Sequence, residues 1–133
     1  MRALVAAAAA VATLAVAAAN ASTGPSFAFG RGGGNIVPSN TRIAARGKVT
    51  VDGEPRGRLT QAKLRALLAV AVAQRFFTLP RKIECPRTLP DLATLYVTVR
   101  TASRTRTVAE HGSCSKRFER VYAALAAAVR TAG

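Results

Sequence analysis

Between Thr41 and Val51, in TRIAARGKVTV, apolar residues fall on every second position. From Leu59, in LTQAKLRALLAVAVAQRFF, they recur three and four apart. A period of two is that of a pleated strand and a period near 3.6 that of a helix, so the chain must combine both. In the first stretch Ile43, Ala45, Gly47, Val49 and Val51 share one face; Arg42, Ala44, Arg46, Lys48 and Thr50 share the other. This pattern predicts one strand covered on a single side, ended by an Asp52-Gly53 turn. In the second stretch Leu64, Leu67, Leu68, Ala71 and Val72 form a helical stripe. Thr60 is placed to cap that helix, Leu59 and Leu64 have the spacing of a hydrophobic staple, and Pro80 closes the segment.

The same two periods return downstream. TLYVTVR alternates with Leu95, Val97 and Val99 inward, and TRTVAE follows as the second arm of a hairpin, with Arg106 and Val108 on one face. SKRFERVYAALAAAVR then places Phe118, Val121, Tyr122, Leu125 and Val129 on one side of a helix, with Ser113 or Ser115 as its cap. With a short strand before GRGGGN, the expected order is β-β-α-β-β-α. Antiparallel strands with both helices on one face make a two-layer α+β sandwich. GRGGGN itself lacks the Gly-Lys-Ser/Thr of a phosphate loop and reads as a turn.

Export sets the chemistry of the rest. MRALVAAAAAVATLAVAAANA carries one charge, Arg2, then an apolar run that is short for a membrane span, and closes on Ala19-Asn20-Ala21. It reads as a signal peptide over residues 1–21, cleaved between Ala21 and Ser22, with a short linker at 22–26 and a single domain at 27–133. The expected location is therefore secreted or extracytoplasmic.

The two cysteines are read in that light. An oxidising compartment favours a disulfide, and Cys85 and Cys114 have only one internal pairing. Closing the loop between them stabilises by about 3–4 kcal/mol in the chain-entropy picture. The alternative is a metal site of Cys85, His111, Cys114 and a carboxylate. Paired near-neighbour ligands stand at one end only, which favours the disulfide. His111 is the chain's one histidine, and the six acids are scattered rather than paired. No catalytic residues, metal or cofactor are therefore expected, and an enzyme built on His111 is the weakest functional reading.

Charge supplies the positive indication. Twenty Lys and Arg stand against six Asp and Glu, a net charge of +14, and the leader would remove only Arg2 of these. Such an excess attracts polyanions. With both helices on one face, the other face of the sheet would carry Arg42, Arg46, Lys48 and Arg100, with Arg104 and Arg106 near the hairpin tip. The expected function is non-catalytic binding of an anionic wall polymer or membrane surface through this basic face. A protein-binding module, such as a small inhibitor or envelope-complex subunit, is the alternative. Nucleic acid is not expected as the physiological partner. The competing structural account is that charge on strand exteriors blunts aggregation.

GRGGGN, the strand ending in VDG, the helix running into FFTLP, PDLATLYVTVR and the final RFERVYAALAAAV together resemble a family of small secreted bacterial domains. The resemblance spans most of residues 27–130 and implies export and an α+β fold. That family has no assigned activity, so it implies no site residues.

Overall fold

The central strand β1, Ser26–Gly32, alternates Phe27 and Phe29 on one side with Ser26, Ala28 and Gly30 on the other. The computed structural model describes residues 24–133; the leader and the Ala21–Ser22 cleavage site lie outside the described residues. β1 begins inside the expected linker. It pairs on one side with β2, Ser39–Ile43, and on the other with β6, Thr94–Arg100, both antiparallel. The full sheet has seven strands in the order β4-β3-β2-β1-β6-β7-β5, adding β3 (Lys48–Val51), β4 (Glu54–Arg58), β5 (Lys82–Glu84) and β7 (Thr105–His111). Only β5 on β7 is parallel.

Register turns the alternation into a core. Val49, Ile43, Phe27 and Val99 are successive partners across four strands, and Phe29, Val97 and Val108 make the next row. All seven are buried in one cluster with Leu64, Leu67 and Ala71 of α1 (Gln61–Ala73) and Phe118, Val121, Leu125 and Ala128 of α2 (Lys116–Arg130). Each large side chain removed from water here contributes about 1.5–3 kcal/mol before conformational entropy is set against it. Phe29 meets Tyr122 edge-on, with ring centroids 5.4 Å apart. The two-layer α+β architecture with both helices on one face is thus the fold of the chain. No helix among the described residues is long and apolar enough to cross a membrane.

Several local expectations change. The stretch TRIAARGKVTV is not one strand but the hairpin β2–β3, turned at Ala44–Gly47. Gly47 has φ +95°, and a Cβ there would stand 2.0 Å from the Leu59 carbonyl oxygen, so only glycine fits. The turn keeps Ile43 opposite Val49, so the inward set is nearly as expected even though the connectivity is not. Asp52 and Gly53, with φ of +50° and +84°, make a tight two-residue turn into β4. That strand has no apolar period, because it is an exposed edge of the sheet. β5 is only three residues long and left no period to read.

The helix boundaries follow local chemistry. Thr60 caps α1 as expected, its Oγ1 accepting from the Lys63 N–H at 3.1 Å, and Ser115 rather than Ser113 caps α2 by accepting from Phe118 N–H. α1 stops at Ala73, short of Phe77. Arg75 adopts a left-handed conformation and a single 3-10 turn, Phe76–Thr78, drops Phe76 into the core. Val72 lies outside the stripe and is 54% exposed. Arg117 joins the two helices, donating to the carbonyls of Gln74 and Arg75 and to Thr78 Oγ1, each at 2.8 Å.

Candidate functional site

The sheet face away from the helices is open, and its relief comes from side-chain size. β1 contributes the small residues Ser26 and Ala28. Its neighbours contribute long or hydroxylated ones: Ala28 lies between Arg42 of β2 and Thr98 of β6, and Ser26 lies opposite Arg100. Arg42 in turn pairs with Thr50 of β3, and Thr98 with Thr107 of β7, whose hydroxyls meet at 2.8 Å. The result is a depression of about 600 Å³ lined by Arg42, Lys48 and Arg100, together with Ser and Thr side chains.

Further along β1, beyond the residues that line the depression, the strands draw together. Gly30 brings β1 so near its neighbour that a Cβ there would stand 1.9 Å from the Ser39 carbonyl oxygen. Over that gap the Tyr96 hydroxyl donates to Asn40 Oδ1 at 2.7 Å. Burial pushes the Tyr96 phenol above its ordinary pKa, and the nearby Arg42 charge offsets part of that rise. The face's one aromatic is therefore an engaged strut.

Of the six basic residues expected on this face, Arg42, Lys48 and Arg100 converge. Arg46 belongs to the β2–β3 turn, where its carbonyl accepts from Arg58 Nη1, and it does not line the depression. Arg104 and Arg106 are on the wrong side for the expected site. Arg104 stacks over the Phe77 ring at 3.8 Å from the centroid. Arg106 stands opposite Val99 on the helix-covered face and donates to the Leu79 carbonyl. Among the described residues the one ion pair is Glu84 with His111, so the three converging cations have no acidic partner within salt-bridge reach.

A second constellation lies at the far edge of the sheet. Cys85 and Cys114 form the expected disulfide, with an S–S distance of 2.01 Å. His111 does not join them: its Nδ1 lies 3.2 Å from Glu84 Oε2. Nor do the serines assemble with it, since Ser113 Oγ donates to Glu119 Oε1 at 2.6 Å and Ser115 caps α2. The residue that sequence reasoning missed is Glu110. It is fully buried, and its Oε2 accepts from the N–H groups of Ser115 at 2.8 Å and Cys114 at 3.3 Å, while Oε1 has no partner. Burial pushes this carboxyl above the ordinary range, against the opposing pull of those two N–H groups. Its signal was present in the sequence, because it follows the inward Val108 by two positions.

Only the second half of GRGGGN forms the expected turn: Gly30–Gly32 end β1, and Gly33–Asn35 turn, with the Asn35 N–H donating to the Asp91 carbonyl at 3.1 Å. Comparison with family models, curated proteins and solved structures finds no match to the chain. The resemblance to small secreted domains gains no support there.

Proposed function

We propose that the protein is a non-catalytic, exported basic protein that holds an anionic polymer in the trough over β1. The observation that carries this reading is the convergence of Arg42, Lys48 and Arg100, unpaired, on one hydroxyl-lined depression. Unpaired cations on a concave surface attract a polyanion, whose own condensed counter-ions are released on binding, and Arg guanidinium with Thr hydroxyls suits phosphate oxygens. A single-stranded nucleic acid is bound through stacking platforms for its bases as well as by charge, and the face's one aromatic is occupied with Asn40. A wall polymer or anionic lipid surface fits the chemistry better. The disulfide is compatible with an extracytoplasmic location, which supports the export half of the reading.

The test compares two triple variants that remove equal charge. Arg42→Gln/Lys48→Gln/Arg100→Gln should weaken binding to a polyol-phosphate polymer. It should also flatten the logarithmic salt dependence by about one phosphate for each cation removed. Lys63→Gln/Arg65→Gln/Arg120→Gln, on exposed helix positions, should change both far less. Arg117 is excluded from that control because it ties the helices together. Equal effects from the two sets would mean diffuse attraction and no binding face.

One observation favours a protein-binding role instead. The loops at 33–38 and 89–92 are joined by the Asn35–Asp91 bond and expose Val37, Leu89 and Leu92. Salt-tolerant, stoichiometric capture of one protein, lost on changing these three to serine, would favour that reading.

A further inference from the structure

The Cys85 and Cys114 sulfurs and a carboxylate oxygen of Glu110 all lie within 4.8 Å of one another. Glu110 is the informative member. Its Oε2 is engaged by the N–H groups of Cys114 and Ser115, in the turn that leads into α2, which fix the carboxyl in place. Its Oε1 is sealed from water and has no hydrogen-bond partner. A buried oxygen without a donor is costly, and such an orphan marks a place where a cation or proton belongs. While the sulfurs are bonded to each other they cannot act as thiolate ligands.

We propose that reduction of the Cys85–Cys114 disulfide converts this cluster into a binding site for a soft divalent cation, with Cys85 Sγ, Cys114 Sγ and a carboxylate oxygen of Glu110 as ligands. The reducing step takes two electrons and two protons from a dithiol donor. The S–S bond breaks, two thiols form, and the donor leaves as its own disulfide. The metal then displaces the two thiol protons and any proton on Glu110. Two thiolates and one carboxylate form three corners of a tetrahedron of the kind zinc accepts.

The surroundings fit this use. The ligands come from the residue after β5, from β7 and from the turn before α2, and each is tied by a hydrogen bond: Cys85 N–H donates to the His111 carbonyl at 2.9 Å, and Cys114 N–H to Glu110 Oε2 at 3.3 Å. The N–H groups on Oε2 act as the outer contacts that orient a ligating carboxylate. Cys114, the exposed member, also lines a shallow depression of about 460 Å³ with Leu79, Pro80, Ile83, Lys116 and Arg117, by which an ion would reach it. His111, the ligand suggested by its spacing to Cys114, is not needed, because its ring is engaged by Glu84 on the opposite face of β7. This site is independent of the trough over β1.

The probe is cobalt(II), followed by zinc competition, on the protein reduced with a phosphine. The reduced protein should bind one equivalent and show thiolate-to-cobalt charge-transfer absorption with tetrahedral d–d bands; the oxidised protein should show neither. Glu110→Gln keeps an acceptor for the Cys114 and Ser115 N–H groups but loses the charged ligand, so affinity should fall by roughly tenfold or more. His111→Ala should bind as the parent does. Should Glu110→Gln fail to fold, cadmium NMR of the reduced parent decides, since a shift in the two-sulfur range supports the site and an all-oxygen shift sinks it. Absence of charge transfer in the reduced protein, parent-like affinity in Glu110→Gln, loss of binding in His111→Ala, or unfolding on reduction alone would each overturn the proposal.

Discussion

Arg106 of β7 stands directly opposite Val99 of β6, so its side chain starts from the helix-covered face of the sheet. Three charged residues of one hairpin therefore serve different ends: Arg100 faces the open trough, while Arg104 and Arg106 fasten the 3-10 turn and the segment after it. Arg106→Ala should lower stability by about 1–3 kcal/mol, the range for losing a charged hydrogen bond to a backbone carbonyl. Chemical denaturation measures that loss. The salt dependence of polymer binding should be unchanged, and a loss of affinity without a loss of stability would return Arg106 to the binding face.

The disulfide joins an edge strand to the start of α2. Thiol titration of the denatured, non-reduced protein should find no free thiol. Cys85→Ser/Cys114→Ser should reduce unfolding free energy by about 2–5 kcal/mol, since 29 positions separate the linked residues. A loss below that range would mean the reduced chain keeps its ends close without help.

Glu110 gives the disulfide-bonded protein a pH dependence of definite sign. Burial raises its carboxyl in the folded state, so the folded protein binds the proton more tightly than the unfolded chain does. Its stabilising contribution is complete below the ordinary glutamate value of 4.5 and is lost as pH rises through the raised folded value. Urea unfolding at successive pH values should show this decline in the parent and a flatter profile in Glu110→Gln. A rise in stability over the same window would mean that the Cys114 and Ser115 N–H groups outweigh burial and hold the carboxylate ionised.

His111→Ala should leave folding and polymer binding close to the parent. Its ring contact is to Glu84, a largely exposed side chain, and such pairs contribute about 1 kcal/mol or less. Loss of a biological activity with an intact thermal transition would contradict the non-catalytic reading.

What was legible in the sequence follows from what leaves a period. The two helices, β6, β7 and the inward residues of β2 and β3 were readable because each buries one face and must place apolar residues on it. β4 and β5 were not, since a polar edge strand of five residues and one of three bury too little to impose a pattern. The hairpin at Ala44–Gly47 was missed because its turn keeps the alternation in phase across the bend. Among site residues, Arg42, Lys48 and Arg100 followed from parity alone. Arg106 also obeyed parity, beside Val108, but its charge argued for solvent and the strand argued correctly for the interior. Glu110 broke the usual expectation in the same way, as a buried carboxyl whose donors come from the turn that follows β7.

The span enclosed by Cys85 and Cys114 contains β6 and β7, including β1's partner in the middle of the sheet. The tip of that hairpin, Ala102–Arg104, is its exposed point. A protease that cuts there would separate the chain in sequence but not in mass, because the sulfur bridge still joins the two pieces and both strands keep their neighbours. Nicked and intact molecules would run together until a reductant is added, and the nicked form would remain one body. The bridge thus acts as insurance against the first cut.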